Sequence, residues 1–242
     1  MKRVCIVVPC FNESEGIPSL GRSLAVLRDE LRAKYEPSFL FVDDGSTDDT
    51  FALLEGLARA LGNSRVLRHE RNRNLGGALQ TAARALPPCD FVCYLDSDCT
   101  YEPRLAHALL AKLEEGYDLV TASPYHPDGA VIGVPGWRLF LSRGLSFVYR
   151  ALTRLPLHTF TAMVRAQRAE YAVPTLSNRT DFTFVTEVLL NHVARGLRVA
   201  EVPATLATRK FGVSKMRTLR TIRKHIGLLI GFCLGISGRG AA

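Results

Sequence analysis

Five short runs rich in β-branched and aromatic residues constrain the fold more than anything else in the chain: VCIVVP (4–9), SFLFVD (38–43), SRVLRH (64–69), DFVCYLD (90–96) and DLVTAS (118–123). Each has the length of one strand, and the stretches between them carry helical periodicity. Strand and helix repeated in this way require right-handed crossovers, which produce a mainly parallel central sheet covered by helices on both faces. The expected class is therefore α/β. With 242 residues, 47% apolar and 22% charged, the chain supports one such domain with a substantial core. No internal repeat and no Ser/Gly/Pro linker divides it.

In open parallel sheets ligands bind at the carboxyl ends of the strands, so the polar residues that end these runs carry the chemistry. Phe11-Asn12-Glu13 follows the first run, Asp43-Asp44-Gly45-Ser46 the second and Asp96-Ser97-Asp98 the fourth. Ser46, Thr47 or Asp48 can cap a helix with apolar positions 51, 53, 54, 57, 58 and 61, but capping leaves Asp43-Asp44 unexplained. No GxGxxG follows the first strand and no GxxxxGK[ST] occurs, which argues against a dinucleotide-binding Rossmann enzyme and a P-loop; Gly76-Gly77 opens a helix without either spacing. Asp96 and Asp98 repel each other, and a divalent cation with hard oxygen ligands is the most economical compensation. Mg²⁺ or Mn²⁺ suits such ligands and commonly bridges to substrate phosphates. The same pair would also serve a strand-to-loop turn in which both carboxylates cap local amides.

The 31 basic residues outnumber the 23 acidic ones, a net charge of +8 that points to nucleic acid, an acidic membrane surface or a phosphorylated substrate. Beyond residue 124 a Gly- and Pro-rich loop leads into the helical GWRLFLSRGLSFVYRALTRL, apolar over a broad face with Arg138, Arg143, Arg150 and Arg154 interspersed. The helical DFTFVTEVLLNHVARG and strand-like LRVAEVPATLATR follow, and KMRTLRTIRKHIGLLIGFCLGI closes the chain as a basic helical tail. Its apolar run, 226–236, is about half of the roughly 20 residues that span a bilayer. Such a tail can lie among anionic headgroups, or pack on the domain or on a second copy. Six cysteines show no CxxC pair and no metal-type spacing, consistent with reduced thiols in an intracellular compartment. The N-terminus lacks a signal-peptide pattern, so the glycosylation sequons at Asn12 and Asn178 are read as chance.

Taken together, VVPCFNE, VDDGSTDDT, RNRNLGGAL and YLDSD, in that order and each beside a strand end, resemble the motifs of the family 2 glycosyltransferases of GT-A fold. The likeness covers residues 4 to about 123 and is specific because four motifs agree. It implies that Pro9, Phe11, Glu13 and Asp44 hold the base and ribose of a nucleotide-sugar donor, with Asp96 on the donor and Asp98 on the metal. The expected cofactor is Mg²⁺ or Mn²⁺.

In the second half, TRKFGVSKM (208–216) is similar to the Arg-x-x-Gly-x-Ser-Lys motif of polyprenyl-phosphate glycosyltransferases of the dolichol-phosphate mannosyltransferase type. This likeness implies an acceptor site from Arg138, Arg143, Ser214 and Lys215, with Arg209 and Glu187 beside the reacting groups. A phosphate monoester is largely dianionic at neutral pH, so it attacks the anomeric carbon without a general base and inverts its configuration. A hydroxyl acceptor would need one, and Glu187 or Asp181 is the candidate. Two departures stand out: Thr100 where those enzymes often have Gln, and HTFTAMVR in place of Asp-x-Thr-Ser-Gly-Phe-Arg, with His158 at the position of the acid. The expectation is an inverting transferase using a GDP-mannose or UDP-sugar donor and a polyprenyl phosphate, peripheral at the cytoplasmic face of a membrane. The domain would span 1–215 and the basic tail 216–242. Competing readings are transfer to a sugar hydroxyl and a non-catalytic basic module for nucleic acid or lipid; aromatic-basic RNA-binding signatures are absent, so nucleic acid is not the expected partner.

Overall fold

The computed structural model describes residues 1–209 and 218–233, and the expected domain boundary at 215/216 lies outside them. Strand β1 (Lys2–Cys10) is followed by α1 (Ile17–Leu31), β2 (Tyr35–Asp43), α2 (Thr50–Leu61), β3 (Ser64–Arg68), α3 (Asn74–Arg84) and β4 (Phe91–Tyr94). Then come α4 (Leu105–Glu114), β5 (Leu119–Ser123), β6 (Ala130–Val131), α5 (Gly136–Thr153), β7 (Arg165–Arg168), α6 (Phe184–Ala194), β8 (Val199–Pro203), β9 (Thr205–Leu206) and α7 (Thr218–Cys233). The main sheet has seven strands in the order β3-β2-β1-β4-β7-β5-β8, with β6 and β9 forming a small parallel pair. All five strands expected from the sequence are present in it.

Alternation along the strands divides the core in two. Val4, Ile6 and Val8 of β1 face α1, α2 and α4 through Leu20, Leu24, Leu54 and Leu109. Cys5 and Val7 face the other way, toward Leu79 of α3, Leu189 of α6, Tyr149 of α5 and Leu228 of α7. The α/β class with helices on both faces is thus observed. One strand breaks the parallel pattern: β7 runs antiparallel between β4 and β5. Its Arg165 is buried without a carboxylate, donating instead to the carbonyls of Val185 and Ala162. Burial pulls this guanidinium down to about 10.

Helix α7 docks on the domain. Lys224 meets Asp181 at 2.6 Å, the Tyr149 hydroxyl lies 3.0 Å from His225 Nδ1, and Leu228 is fully buried. Among the described residues no helix is long and apolar enough to cross a membrane. Burial holds His225 and His192 neutral, each pulled down from 6.5 to about 4. A histidine whose folded value is depressed contributes stability above its unfolded value that is lost as pH falls. For His225 that loss runs from about 6.5 down to about 4. Asp44 and Asp96, raised by burial, pull the opposite way, so the test is differential. Between pH 7 and pH 5, His225→Gln loses roughly 2 kcal/mol less stability than the parent in denaturant titrations.

Candidate active site

The site is assembled from loops at the carboxyl ends of β1, β2 and β4, stitched together by backbone hydrogen bonds. Asn12 N–H donates to Ser46 Oγ (2.9 Å), Thr47 N–H to Asn12 Oδ1 (2.8 Å) and Glu13 N–H to Thr50 Oγ1 (2.8 Å). Asp48 Oδ1 accepts from Thr50 N–H at the start of α2, although the cap position itself falls to Asp49, whose side chain makes no capping bond, rather than to Ser46, Thr47 or Asp48. Three of these loops carry left-handed backbone at Asn12, Gly45 and Cys99, a clustering of strain typical of functional sites. Glycine is required at 45: its φ is +74°, and a Cβ there would lie 2.6 Å from the Arg71 carbonyl carbon.

The two acids of the second motif separate in role. Asp43 is fully buried, accepts from Ser46 N–H (3.1 Å) and pairs with Arg68 Nε at 3.2 Å, so it braces the turn. Asp44 Oδ1 accepts from Arg73 N–H (2.8 Å) and lies 2.7 Å from His69 Nδ1, whose Nε2 is 2.9 Å from the Thr81 hydroxyl. Burial raises Asp44, opposed by His69 and Arg73. The site wall here is completed by residues 177–180. Gln80 Nε2 donates to the carbonyls of Ser177 and Arg179, and a Cβ on Gly76 would stand 2.5 Å from the Arg179 oxygen. His69, Arg73 and Gln80 escaped the sequence reading, although His69 ends a strand run just as the motif aspartates do.

Asp96 and Asp98 follow β4. Thr100, flagged as a departure, organises both: its N–H donates to Asp98 Oδ1 (2.9 Å) and its hydroxyl to Asp96 Oδ2 (3.4 Å). Arg209 arrives from beyond β9, tied down where Ala207 N–H donates to the Thr100 carbonyl. It places Nε 2.6 Å from Asp98 Oδ2 and Nη1 3.1 Å from Glu13 Oε1. Glu13, Asp98 and Arg209, distant in sequence, therefore converge. Burial and the adjacent Asp98 charge hold Asp96 well above the usual carboxylate range, with Arg209 pulling it back. This carboxylate pair meets the Arg209 guanidinium at Asp98. Its hard oxygen donors suit Mg²⁺ or Mn²⁺. Among the described residues no three His, Cys, Asp or Glu converge as a metal cage.

Pro9 lies on β1 opposite Val42 and Phe11 is partly buried in the loop that follows. Arg143 on α5 stacks over the Tyr125 ring at 5.2 Å, whereas Glu187 on α6 accepts from the Ser177 hydroxyl and sits 3.4 Å from Arg179 Nε. Asp181 is bonded to Thr183 and Lys224. Arg138 is on α5, but its side chain lies outside the described residues, as do Ser214 and Lys215 altogether.

The sequence pattern described as Glycosyl transferase family 2 matches residues 5–172. The chain belongs to that family. This family 2 chain is 30% identical over 223 residues to the undecaprenyl-phosphate 4-deoxy-4-formamido-L-arabinose transferases of two Klebsiella pneumoniae strains. The match covers 92% of the chain and 65% of those relatives, so the chain spans about two thirds of their length. Among solved structures it is similar to glucosyl-3-phosphoglycerate synthase of Mycobacterium tuberculosis. The form with UDP superimposes with a TM-score of 0.70 at 24% identity, covering 96% of the chain and 80% of the other. The form with Mn²⁺, UDP and glucosyl-3-phosphoglycerate gives 0.67 at 22%, covering 100% and 82%. The fold of this family 2 chain is thus of GT-A type.

Proposed function

We propose that the chain is an inverting glycosyltransferase moving a sugar from a nucleoside diphosphate, GDP- or UDP-linked, to a polyprenyl phosphate. The observation that carries this reading is the pair Asp96/Asp98 at the sheet's carboxyl edge, with Arg209 bridging Asp98 and Glu13 beside it. The Klebsiella relatives are named for transfer to undecaprenyl phosphate, and the Mycobacterium neighbour holds UDP with Mn²⁺ or, in another form, Mg²⁺. Asp44, fixed by His69 and Arg73, would meet the nucleobase or ribose, and Asp96 with Asp98 would hold the cation. A bound Mg²⁺ or Mn²⁺ would stabilise charge on the departing diphosphate. The acceptor phosphate oxygen forms the new bond to the anomeric carbon as the sugar–diphosphate bond breaks, its electron pair leaving with the nucleotide.

A lipid acceptor calls for a membrane face, and α5 offers one. Trp137, Phe140, Phe147 and Val148 on it are 55%, 77%, 71% and 41% exposed, with Arg143, Arg150 and Arg154 exposed beside them. Apolar anchors flanked by arginines suit an anionic bilayer surface. One assay tests the reading: nucleotide sugars, Mg²⁺ or Mn²⁺, and polyprenyl phosphate in anionic vesicles. Sugar should appear on the lipid and vanish with chelator, and the protein should sediment with the vesicles unless Phe140 and Phe147 are both changed to Ser. Metal-independent transfer, or transfer only to a soluble glycan, overturns it.

A further inference from the structure

Where the resemblance leads one to expect an acid, the chain has His158, and the structure returns an acid to the same place from another strand. Glu201 of β8, its side chain only 6% exposed, reaches His158 Nδ1 at 2.5 Å. Its other oxygen accepts the backbone N–H groups of His158 (2.7 Å) and Thr159 (3.3 Å). The carboxylate is thus wholly directed at one imidazole and the turn that carries it. Such a partner fixes the ring's orientation and leaves Nε2 as the nitrogen available to a ligand. The His158 side chain is 29% exposed.

Several groups able to meet a ligand lie beside it. The His126 and His158 rings meet edge to face with centroids 5.8 Å apart, and His126 Nδ1 accepts from Asp128 N–H at 3.1 Å, with the Asp128 carboxylate 3.6 Å away and largely in solvent. The neighbouring Tyr125 carries the Arg143 guanidinium over its ring. Tyr125 and His126 follow the carboxyl end of β5, which lies on the same edge of the sheet as the carboxyl end of β4 that carries the aspartate pair. The Ser123 and Thr159 hydroxyls, 2.9 Å apart, lock the two loops together. Arg143, held over the Tyr125 ring, supplies a cation beside this cluster.

We propose that His158, positioned by Glu201, binds the phosphate monoester of the acceptor through Nε2–H, with Arg143 as its cationic partner. This rests on the reading of a phosphate acceptor given above. An amide can donate as an imidazole does, whereas it cannot serve as a base, and that difference supplies the test. In transfer assays His158→Ala raises the KM for polyprenyl phosphate about tenfold, the cost of one charge-assisted hydrogen bond, by more than it lowers kcat. His158→Gln recovers most of that loss, and Glu201→Gln, which frees the ring, shows an intermediate KM. Melting shifts with nucleotide and Mn²⁺ stay at the parent's value in every variant, which also reports folding. In the parent, inorganic phosphate should move the His158 ring ¹⁵N resonances, a readout independent of transfer. An unchanged KM in His158→Ala, equal loss of kcat in the Ala and Gln variants, or no phosphate-induced shift overturns the proposal. Absence of a nucleotide and metal shift in the parent would instead strike the donor reading and leave the phosphate titration standing.

Discussion

Asp98→Asn should fold as the parent does and transfer sugar about a thousandfold more slowly. The expectation follows from where the carboxylate sits. Its Oδ1 is already spoken for by Thr100 N–H, so Oδ2, now facing Arg209, is the atom free to exchange that partner for a cation. An amide keeps the shape and the Thr100 bond but removes the charge. Losing one preorganised electrostatic contact at a developing charge typically costs about 10² to 10³ in rate, and here the cation's anchorage goes with it. Stability should change little, because the substitution relieves repulsion on Asp96, which burial first and the Asp98 charge second hold above the usual carboxylate range, while giving up the ion pair with Arg209. The measurement is initial rate at saturating donor and Mn²⁺ beside the melting temperature of the free protein. A variant that transfers at the parental rate would remove the cation from the account, and one that unfolds would show the pair to be structural.

What was legible in the sequence is what local pattern encodes. The strands announce themselves because β1, β2, β4 and β5 are buried on both faces and read as continuous apolar runs. The site motifs were legible because the chain places polar residues directly where those runs stop. Strand β7 was not, since RAQR has the composition of a loop, and its buried Arg165 is accommodated by the carbonyls of Ala162 and Val185, the second of them twenty residues away. Long-range pairs of this kind leave no periodic signature. His158 and Glu201 are separated by 43 residues and Glu13 and Arg209 by 196, so the sequence supplied the members and only the fold supplied the pairing. Thr100 shows the converse. Read as a departure from a family motif, it is the residue whose amide and hydroxyl hold both aspartates.

Arg209→Ala should move metal binding and catalysis in opposite directions. In the structure the guanidinium spans Asp98 and Glu13, at 2.6 Å and 3.1 Å, and so supplies positive charge where the cation is expected. For Asp98 Oδ2 to take a metal, that pair must open, which makes Arg209 a competitor of the ion. Removing it should tighten Mn²⁺ binding several-fold, since a partly exposed ion pair is worth up to about 1 kcal/mol. With a cation held at Asp98, the displaced guanidinium would stabilise negative charge on a departing diphosphate, a role Arg suits through its forked donors. Without it kcat should fall about a hundredfold, the usual cost of losing one such contact. Free Mn²⁺ followed by electron paramagnetic resonance gives the first quantity, and single-turnover transfer the second. Arg209→Lys separates charge from fork: it should keep the weaker metal affinity of the parent and recover only part of the rate. If alanine weakens metal binding and transfer together, Arg209 is a brace for the two carboxylates rather than a cation that changes partners during the reaction.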